Sequence, residues 1–397
     1  MIAPLAALLF SALSLHPLWT YHAQRWITSQ PTVADGLVYA GSWSGRVVAL
    51  DVRNGSVRWS AQLGSNPDQF YGQTRGVTSS VVVANGVAYA DSGSCRAGAF
   101  DARTGRVLWE RTICSTARND DTYASPAVGD GLALFAIDML GDRPTDRGHI
   151  VALDARTGDV RWTLYPERYR GTGTGISATP LIDEARGIGY VGTGNPTPIG
   201  APPPGPDAYS ESILAFDMRS GSIRWAYGPV HPHDTHDNDL FASPNHFAAG
   251  AREVIGEGGK DGIYYAVDAH DGHLCWRTAV SQGNLYASII GTPVTGNGYV
   301  YVPVYGGQQG SLVALRARDG AVRWHASLGG AYGSPALWRN VIFAVDVNKT
   351  LAAFDATSGR RLLTMPLRGR TYGRGLRVWG SRLYVTAGST LTAYAIR

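Results

Sequence analysis

The chain has 397 residues and a mass of 42.4 kDa, with 44% hydrophobic and 17% charged residues, a balance that excludes intrinsic disorder. Its formal net charge of +4 is spread over arginines in turn-like segments with no basic stripe, so no nucleic acid partner is expected. The 50 glycines, 11 tryptophans and 20 tyrosines predict short β-strands joined by tight turns rather than helices.

In chain order, the first feature is the apolar run IAPLAALLFSALSL at Ile2–Leu15. It is too short to cross a bilayer, so no transmembrane span is expected. It suits the apolar region of a secretory signal, although it lacks a basic leader and a small-residue cleavage site. Residues 1–15 are therefore set apart, and export is expected. A buried N-terminal segment is the alternative. Residues 16–397 read as a single domain.

The rest of the chain follows an internal repeat, Ala-x-Asp-x-x-x-Gly-x-x-x-Trp. It occurs as ALDVRNGSVRW (Ala49–Trp59), AFDARTGRVLW (Ala99–Trp109), ALDARTGDVRW (Ala152–Trp162), AFDMRSGSIRW (Ala215–Trp225), AVDAHDGHLCW (Ala266–Trp276) and ALRARDGAVRW (Ala314–Trp324). A degraded copy, AFDATSGRRLL, spans Ala353–Leu363. Each copy follows a strand-like run such as GLVYAGS. Its Asp and Gly bracket a tight turn, with Gly supplying the positive φ. The Trp sits in the outer strand, where it can pack on the next unit. The spacing suits a four-stranded propeller blade. An eighth unit, Gly375–Ile396, lacks its outer strand, and His16–Ala23 supplies one, with Trp19 in the tryptophan position. The expected fold is thus all-β: an eight-bladed β-propeller, closed by an N-terminal strand that completes the C-terminal blade. Ring closure removes the exposed sheet edge. Blade four carries a Pro- and Gly-rich insert, Gly194–Glu211, of the kind that lines binding sites.

Three cysteines, Cys95, Cys114 and Cys275, form no CxxC pair, which argues against a structural zinc site. In an exported chain, Cys95 and Cys114 can pair. Lys260 and Lys349 are the only lysines in a chain that otherwise uses arginine, which marks Lys260 as constrained by a role. The segment HPHDTHDND, His231–Asp239, gathers His and Asp. It reads either as a polar loop whose carboxylates cap backbone amides or as a metal cluster drawing on His231, His233 or His236.

Eight units with this repeat resemble the quinoprotein alcohol and sugar dehydrogenases, which bind pyrroloquinoline quinone (PQQ). RGIGYVGTGNP, Arg186–Pro196, resembles the family's RGxxYxGTGNP, which implies Asn195 as a calcium ligand. GGKDGIYYAVDAHDG, Gly258–Gly272, resembles GKxGxxYxLDxxTG and implies that Lys260 contacts the quinone oxygens. DAYSESILAFDMRSGSIRWAY, Asp207–Tyr227, resembles the segment that follows the family's catalytic Asp. A gapless match places that Asp at Pro206, so Asp207 is the nearby carboxylate and the implied base and metal ligand. His231–Pro244 resembles PHDxWDxDxxxxP, with His236 in place of the Trp. Arg75-Gly76 resembles the Arg-Gly that follows the family's paired cysteines, which are absent here. In blade three, DRGHIVALDARTG resembles VRGxVxAxDxxTG. The upstream calcium-binding Glu falls at Arg143, leaving Asp142 as the adjacent carboxylate. Ser177 takes the place of the Trp beneath the quinone.

The resemblance implies PQQ and Ca²⁺ as cofactors, with Lys260, Arg75 and Ser177 at the quinone and Asn195, Asp207 and Asp142 at the metal. It further implies a small alcohol or sugar substrate whose hydroxyl proton passes to Asp207. A separate electron acceptor is expected, since the chain has no CxxCH haem motif. The lost Trp, the absent paired cysteines and the shifted Asp favour the other reading, a non-enzymatic or repurposed propeller that binds a partner on its insert-bearing face.

Overall fold

The computed structural model describes residues 13–70, 73–118, 120–139, 147–167, 174–196, 209–228, 236–283, 288–307, 309–369 and 375–397. Among them are eight antiparallel blades, seven of them four-stranded and the third carrying a fifth short strand, Asp120–Asp121. Blade one comprises Thr32–Ala34, Leu37–Gly41, Arg46–Asp51 and Val57–Gln62, from axis to rim. Blade four comprises Leu181–Asp183, Ile188–Gly192, Ile213–Asp217 and Ile223–Tyr227. Blade five comprises Asn245–Ala249, Arg252–Gly258, Ile263–Asp268 and Leu274–Ala279. Blade eight closes the ring as expected. Its strands Leu376–Trp379, Arg382–Ala387 and Thr390–Ile396 are completed by Leu15–His22, which pairs antiparallel with the last of them.

Each residue of the repeat has a mechanical reason. The repeat Ala lies opposite the Trp across the third and fourth strands, as in Ala49↔Trp59 and Ala266↔Trp276, and a bulge follows it in every copy. A small partner leaves the indole room to lean onto the next blade. There it covers the repeat glycine. A Cβ on Gly105 would stand 2.6 Å from the Trp59 ring, and Gly55, Gly158, Gly221, Gly272, Gly320 and Gly359 are covered in the same way by Trp19, Trp109, Trp162, Trp225, Trp276 and Trp324. These glycines also hold positive φ, so both space and backbone demand glycine. Six of the seven indole N–H groups donate to a carbonyl of the next blade, for example Trp59 to Ala102 at 2.7 Å. The repeat Asp caps its own turn, with Asp101 Oδ1 accepting from Thr104 N at 2.9 Å.

A second ring of contacts runs at the axis. The backbone N–H groups of Gln30, Ser80, Ser125, Thr179, Ser243 and Thr292 donate in turn to the hydroxyls of Ser80, Ser125, Thr179, Ser243, Thr292 and Ser334, at 3.0–3.3 Å. This belt joins the first strands of blades one to seven, which are too short to pair widely with one another.

Cys95 and Cys114 form a disulfide with Cα atoms 4.9 Å apart, tying the inner hairpin of blade two to the end of its outer strand. The bond closes a loop of 19 residues. Its removal in Cys95→Ser is expected to cost about 3 kcal/mol by the loop-entropy estimate. Urea unfolding measures this cost, and reducing agent should shift the wild type but leave the variant unmoved.

Candidate functional site

The loops joining second to third strands and the connectors between blades share one face. Two backbone bonds show it: Ile113 N donates to Cys95 O at 2.9 Å, and Lys260 N donates to Asp239 O at 2.9 Å. Near the seam of blades four and five, three such segments converge. They are the Gly-Thr-Gly-Asn turn ending in Asn195, the connector carrying Asp237 and Asp239, and the Gly258–Gly262 hairpin loop carrying Lys260.

Asn195 is buried at the centre of this cluster. Its backbone N–H donates to Asp239 Oδ1 at 2.6 Å, its Nδ2 donates to Asp237 Oδ1 at 2.8 Å, and its Oδ1 accepts from Asn238 N at 2.9 Å. The preceding Gly194 allows this approach, since a Cβ there would lie 2.8 Å from Asp239 Oδ1. Lys260 Nζ lies 3.0 Å from both oxygens of Asp237 and 2.5 Å from Asp239 Oδ2. Burial alone would lower the ammonium pKa, but the carboxylates of Asp239 and Asp237 outweigh it and hold Lys260 well above the ordinary lysine value. For Asp237, burial acts upward, yet Lys260 and the Asn195 amide hold the carboxyl below its ordinary value. Lys260 is therefore held as an ammonium and Asp237 as a carboxylate through neutral pH, with Asp239 bonded to the same ammonium.

An aromatic group extends from this cluster across the axis. The Phe241 ring lies 5.1 Å from Lys260 Nζ and 5.4 Å from the Tyr123 ring. Tyr123 in turn has the Arg75 guanidinium at 5.5 Å, and its hydroxyl meets that of Tyr332 from the opposite side of the ring at 3.1 Å. Thus Arg75 and Lys260 lie at the two ends of one aromatic pair. Arg75 is buried and ion-paired with Asp121. Burial pushes Asp121 up to about 6 against the pull of Arg75, and Asp138, its partner across the strand pairing, adds to the rise. Ser177 donates its hydroxyl to Asp138, so where the resemblance expected an aromatic platform the chain presents a hydrogen bond.

Asp207 and Asp142 lie outside the described residues, as do His231 and His233. His236 is described and exposed. The carboxylates gathered with Asn195 and Lys260 are Asp237 and Asp239, from the segment that reads in sequence either as a polar loop or as a metal cluster. Two signals pointed to them: the match of their segment to PHDxWDxD, and the rarity of lysine that singled out Lys260.

Among the described residues, no group of three or more His, Cys, Asp or Glu side chains is placed to hold a metal ion. The donor set at this seam is instead two carboxylates with an amide oxygen, the oxygen chemistry that suits a hard cation such as Ca²⁺. It already holds one positive charge, the ammonium of Lys260. A flat, anionic ring finds complementary features in the Tyr123–Phe241 pair flanked by two cationic side chains.

The family model for PQQ-repeat propellers, described as outer membrane protein assembly factor BamB, matches residues 10–227 and 260–396, and the chain belongs to this family. The interval between the two matched stretches contains Asp237 and Asp239. The chain is similar to the polyvinylalcohol dehydrogenase of a Pseudomonas species, at 28% identity over 250 residues, covering 52% of this chain and 37% of that protein. It is similar to the quinohemoprotein alcohol dehydrogenase ADH IIB of Pseudomonas putida, at 25% identity over 326 residues, covering 73% of this chain and 39% of that one. The chain thus spans well under half the length of these relatives. Among solved structures, a europium-containing methanol dehydrogenase superposes with a TM-score of 0.80 at 15% identity, covering 96% of this chain and 93% of its own, which shows a shared fold. The fold is that of the quinoprotein dehydrogenases, and the chain is related to these enzymes in sequence.

Replacing Lys260 by Met leaves two adjacent, largely buried carboxylates without their cation. The variant is expected to lose about 3 kcal/mol of stability. Adding Asp237→Asn should restore part of that loss. Urea unfolding of the three proteins measures both steps, and a Lys260→Met protein as stable as wild type would contradict the pairing.

Proposed function

We propose that the chain is a quinoprotein-type dehydrogenase that oxidises an alcohol or sugar hydroxyl with PQQ and a hard cation such as Ca²⁺. The observation that carries this reading is the convergence of Asn195, Asp237, Asp239 and Lys260 from three separate segments onto one ionised cluster. Asn195, Asp237 and Asp239 would hold the cation, and Lys260 and Arg75 would bind the quinone. PQQ, with its cation as Lewis acid, supplies the two-electron oxidising chemistry.

The chain's own residues do the rest. Asp237, kept ionised by Lys260, takes the substrate hydroxyl proton at a carboxylate oxygen. Asn195 fixes that carboxylate through its amide, so its orientation is set before substrate arrives. Asp239, bonded both to the Asn195 backbone and to Lys260, locks the two loops to one connector. Asp237 takes the role of base that the resemblance implied for Asp207. Electrons leave to a separate acceptor. The Cys95–Cys114 disulfide supports an exported protein. Among the described residues, no helix is long and apolar enough to cross a membrane.

The engagement of Arg75 by Asp121 and of Ser177 by Asp138 favours a second reading, a propeller that binds a partner without turnover. Calorimetric titration with PQQ and Ca²⁺, followed by a dye-linked assay over alcohols and sugars, separates the two. Saturable binding that weakens in Asn195→Ala, with turnover that falls by about 10²–10⁴ in Asp237→Asn while binding persists, is the expected result. No binding at micromolar PQQ would leave the non-enzymatic reading.

A further inference from the structure

Blades four and five meet at a seam unlike the others. At one level of the second strand, one residue before the strand reaches the site face, seven blades place an apolar side chain: Ala40, Ala90, Phe135, Val191, Val302, Ala344 and Val385. Blade five places Glu257 there. The residue is fully buried, and among the described residues neither carboxyl oxygen has a hydrogen-bond partner. Its Oε1 lies against blade four at Gly192, where an added Cβ would come within 1.9 Å of it. The same seam is also the one whose tryptophan, Trp225, leaves its indole N–H without a hydrogen bond among the described residues. Gly192 opens the turn that ends in Asn195, and Glu257 leads directly into the loop of Lys260.

We propose that Glu257 is a positioning residue for the charged cluster: its carboxyl, wedged against Gly192, sets the separation of the Asn195 turn from the Lys260 loop. The inference rests on reading that cluster as the functional site. A wholly buried carboxyl without a hydrogen bond is held in its neutral form, because ionisation there is strongly penalised. Burial indeed pushes Glu257 well above its ordinary value. The titratable groups beside it are phenols: Tyr265, its partner across the strand pairing, and Tyr264, which senses its charge. Blade four presents the bare backbone of Gly192. No cation is therefore placed beside Glu257 to accept its ionised form among the described contacts. A group with a raised folded value contributes stability that is complete below its unfolded value of about 4.3 and is lost as pH rises toward the folded value. Alkaline pH accordingly strains this seam and pulls the two loops apart.

The test uses the full chain with Tb³⁺ alone as a luminescent probe of the cluster, and urea unfolding without cation. Glu257→Gln should bind Tb³⁺ as wild type does at pH 6, and in calorimetric titration with Ca²⁺, which stays soluble in alkali, should hold its affinity as pH rises while that of wild type weakens. Its urea midpoint should exceed that of wild type at pH 8 and match it at pH 4. Gly192→Ala should weaken Tb³⁺ at pH 6, and Ca²⁺ at every pH, by about tenfold, the scale of supporting-residue substitutions at metal sites. Adding Glu257→Ala to Gly192→Ala should recover part of that affinity. The inference is overturned by a Gly192→Ala variant that binds like wild type, or by Glu257→Gln following the wild-type pH profile. If the wild type binds no Tb³⁺, the assignment of a cation to the cluster fails. The urea profiles still decide whether Glu257 strains the seam, and coincident profiles refute it.

Discussion

An indole ring laid over a glycine of the next blade is the contact on which this molecule depends. Seven seams repeat it, from Trp19 on Gly55 to Trp324 on Gly359. The contact is specific in three ways at once. The glycine turn must hold positive φ, the ring needs a surface without a Cβ, and the small Ala opposite the Trp lets the ring lean outward. Burying a ring of that size contributes a few kcal/mol per seam. Because each contact joins one blade to the next, tertiary packing becomes a property of the repeat itself. At the remaining seam, blade seven offers Leu363 in the tryptophan position. There the packing passes to an apolar cluster that includes Leu367, Leu376, Leu383 and Ile396.

The regular rim frees the opposite ends of the strands to differ. On that face, the loops of blades four and five and the connector between them gather two carboxylates, an amide and an ammonium within hydrogen-bond reach. None of these residues belongs to the repeat motif. Their geometry is inherited from blades whose packing they do not perturb, which is how one scaffold can carry either chemistry or plain binding.

These two layers explain what could be read from sequence. The blades were legible because the relevant spacing is short: Asp, Gly and Trp within one copy fix turn, backbone and seam. The strand that closes the ring was legible from Trp19 alone. Asn195 and Lys260 were legible because each sits beside a recognisable turn. Asp237 and Asp239 were harder, since a loop carboxylate that caps an amide and one that gathers charge look alike in sequence. Asp239 does both, accepting from the Asn195 backbone through one oxygen and from Lys260 through the other. The Pro-rich insert gives no fixed register for Asp207, which lies outside the described residues, so the linear match alone does not place it relative to the cluster. Glu257 was invisible for a further reason. Its oddity appears only when eight second strands are aligned by their hydrogen-bond register.

Blade eight takes three strands from one part of the chain and its fourth from another. In an open stack of repeats, units outnumber interfaces by one, and a unit at the end detaches by breaking a single interface. In this ring the two numbers are equal. Breaking any one seam opens the circle but releases nothing, and a blade leaves only when both of its neighbours let go. Loss of structure is therefore collective, without a weakest end from which it can begin.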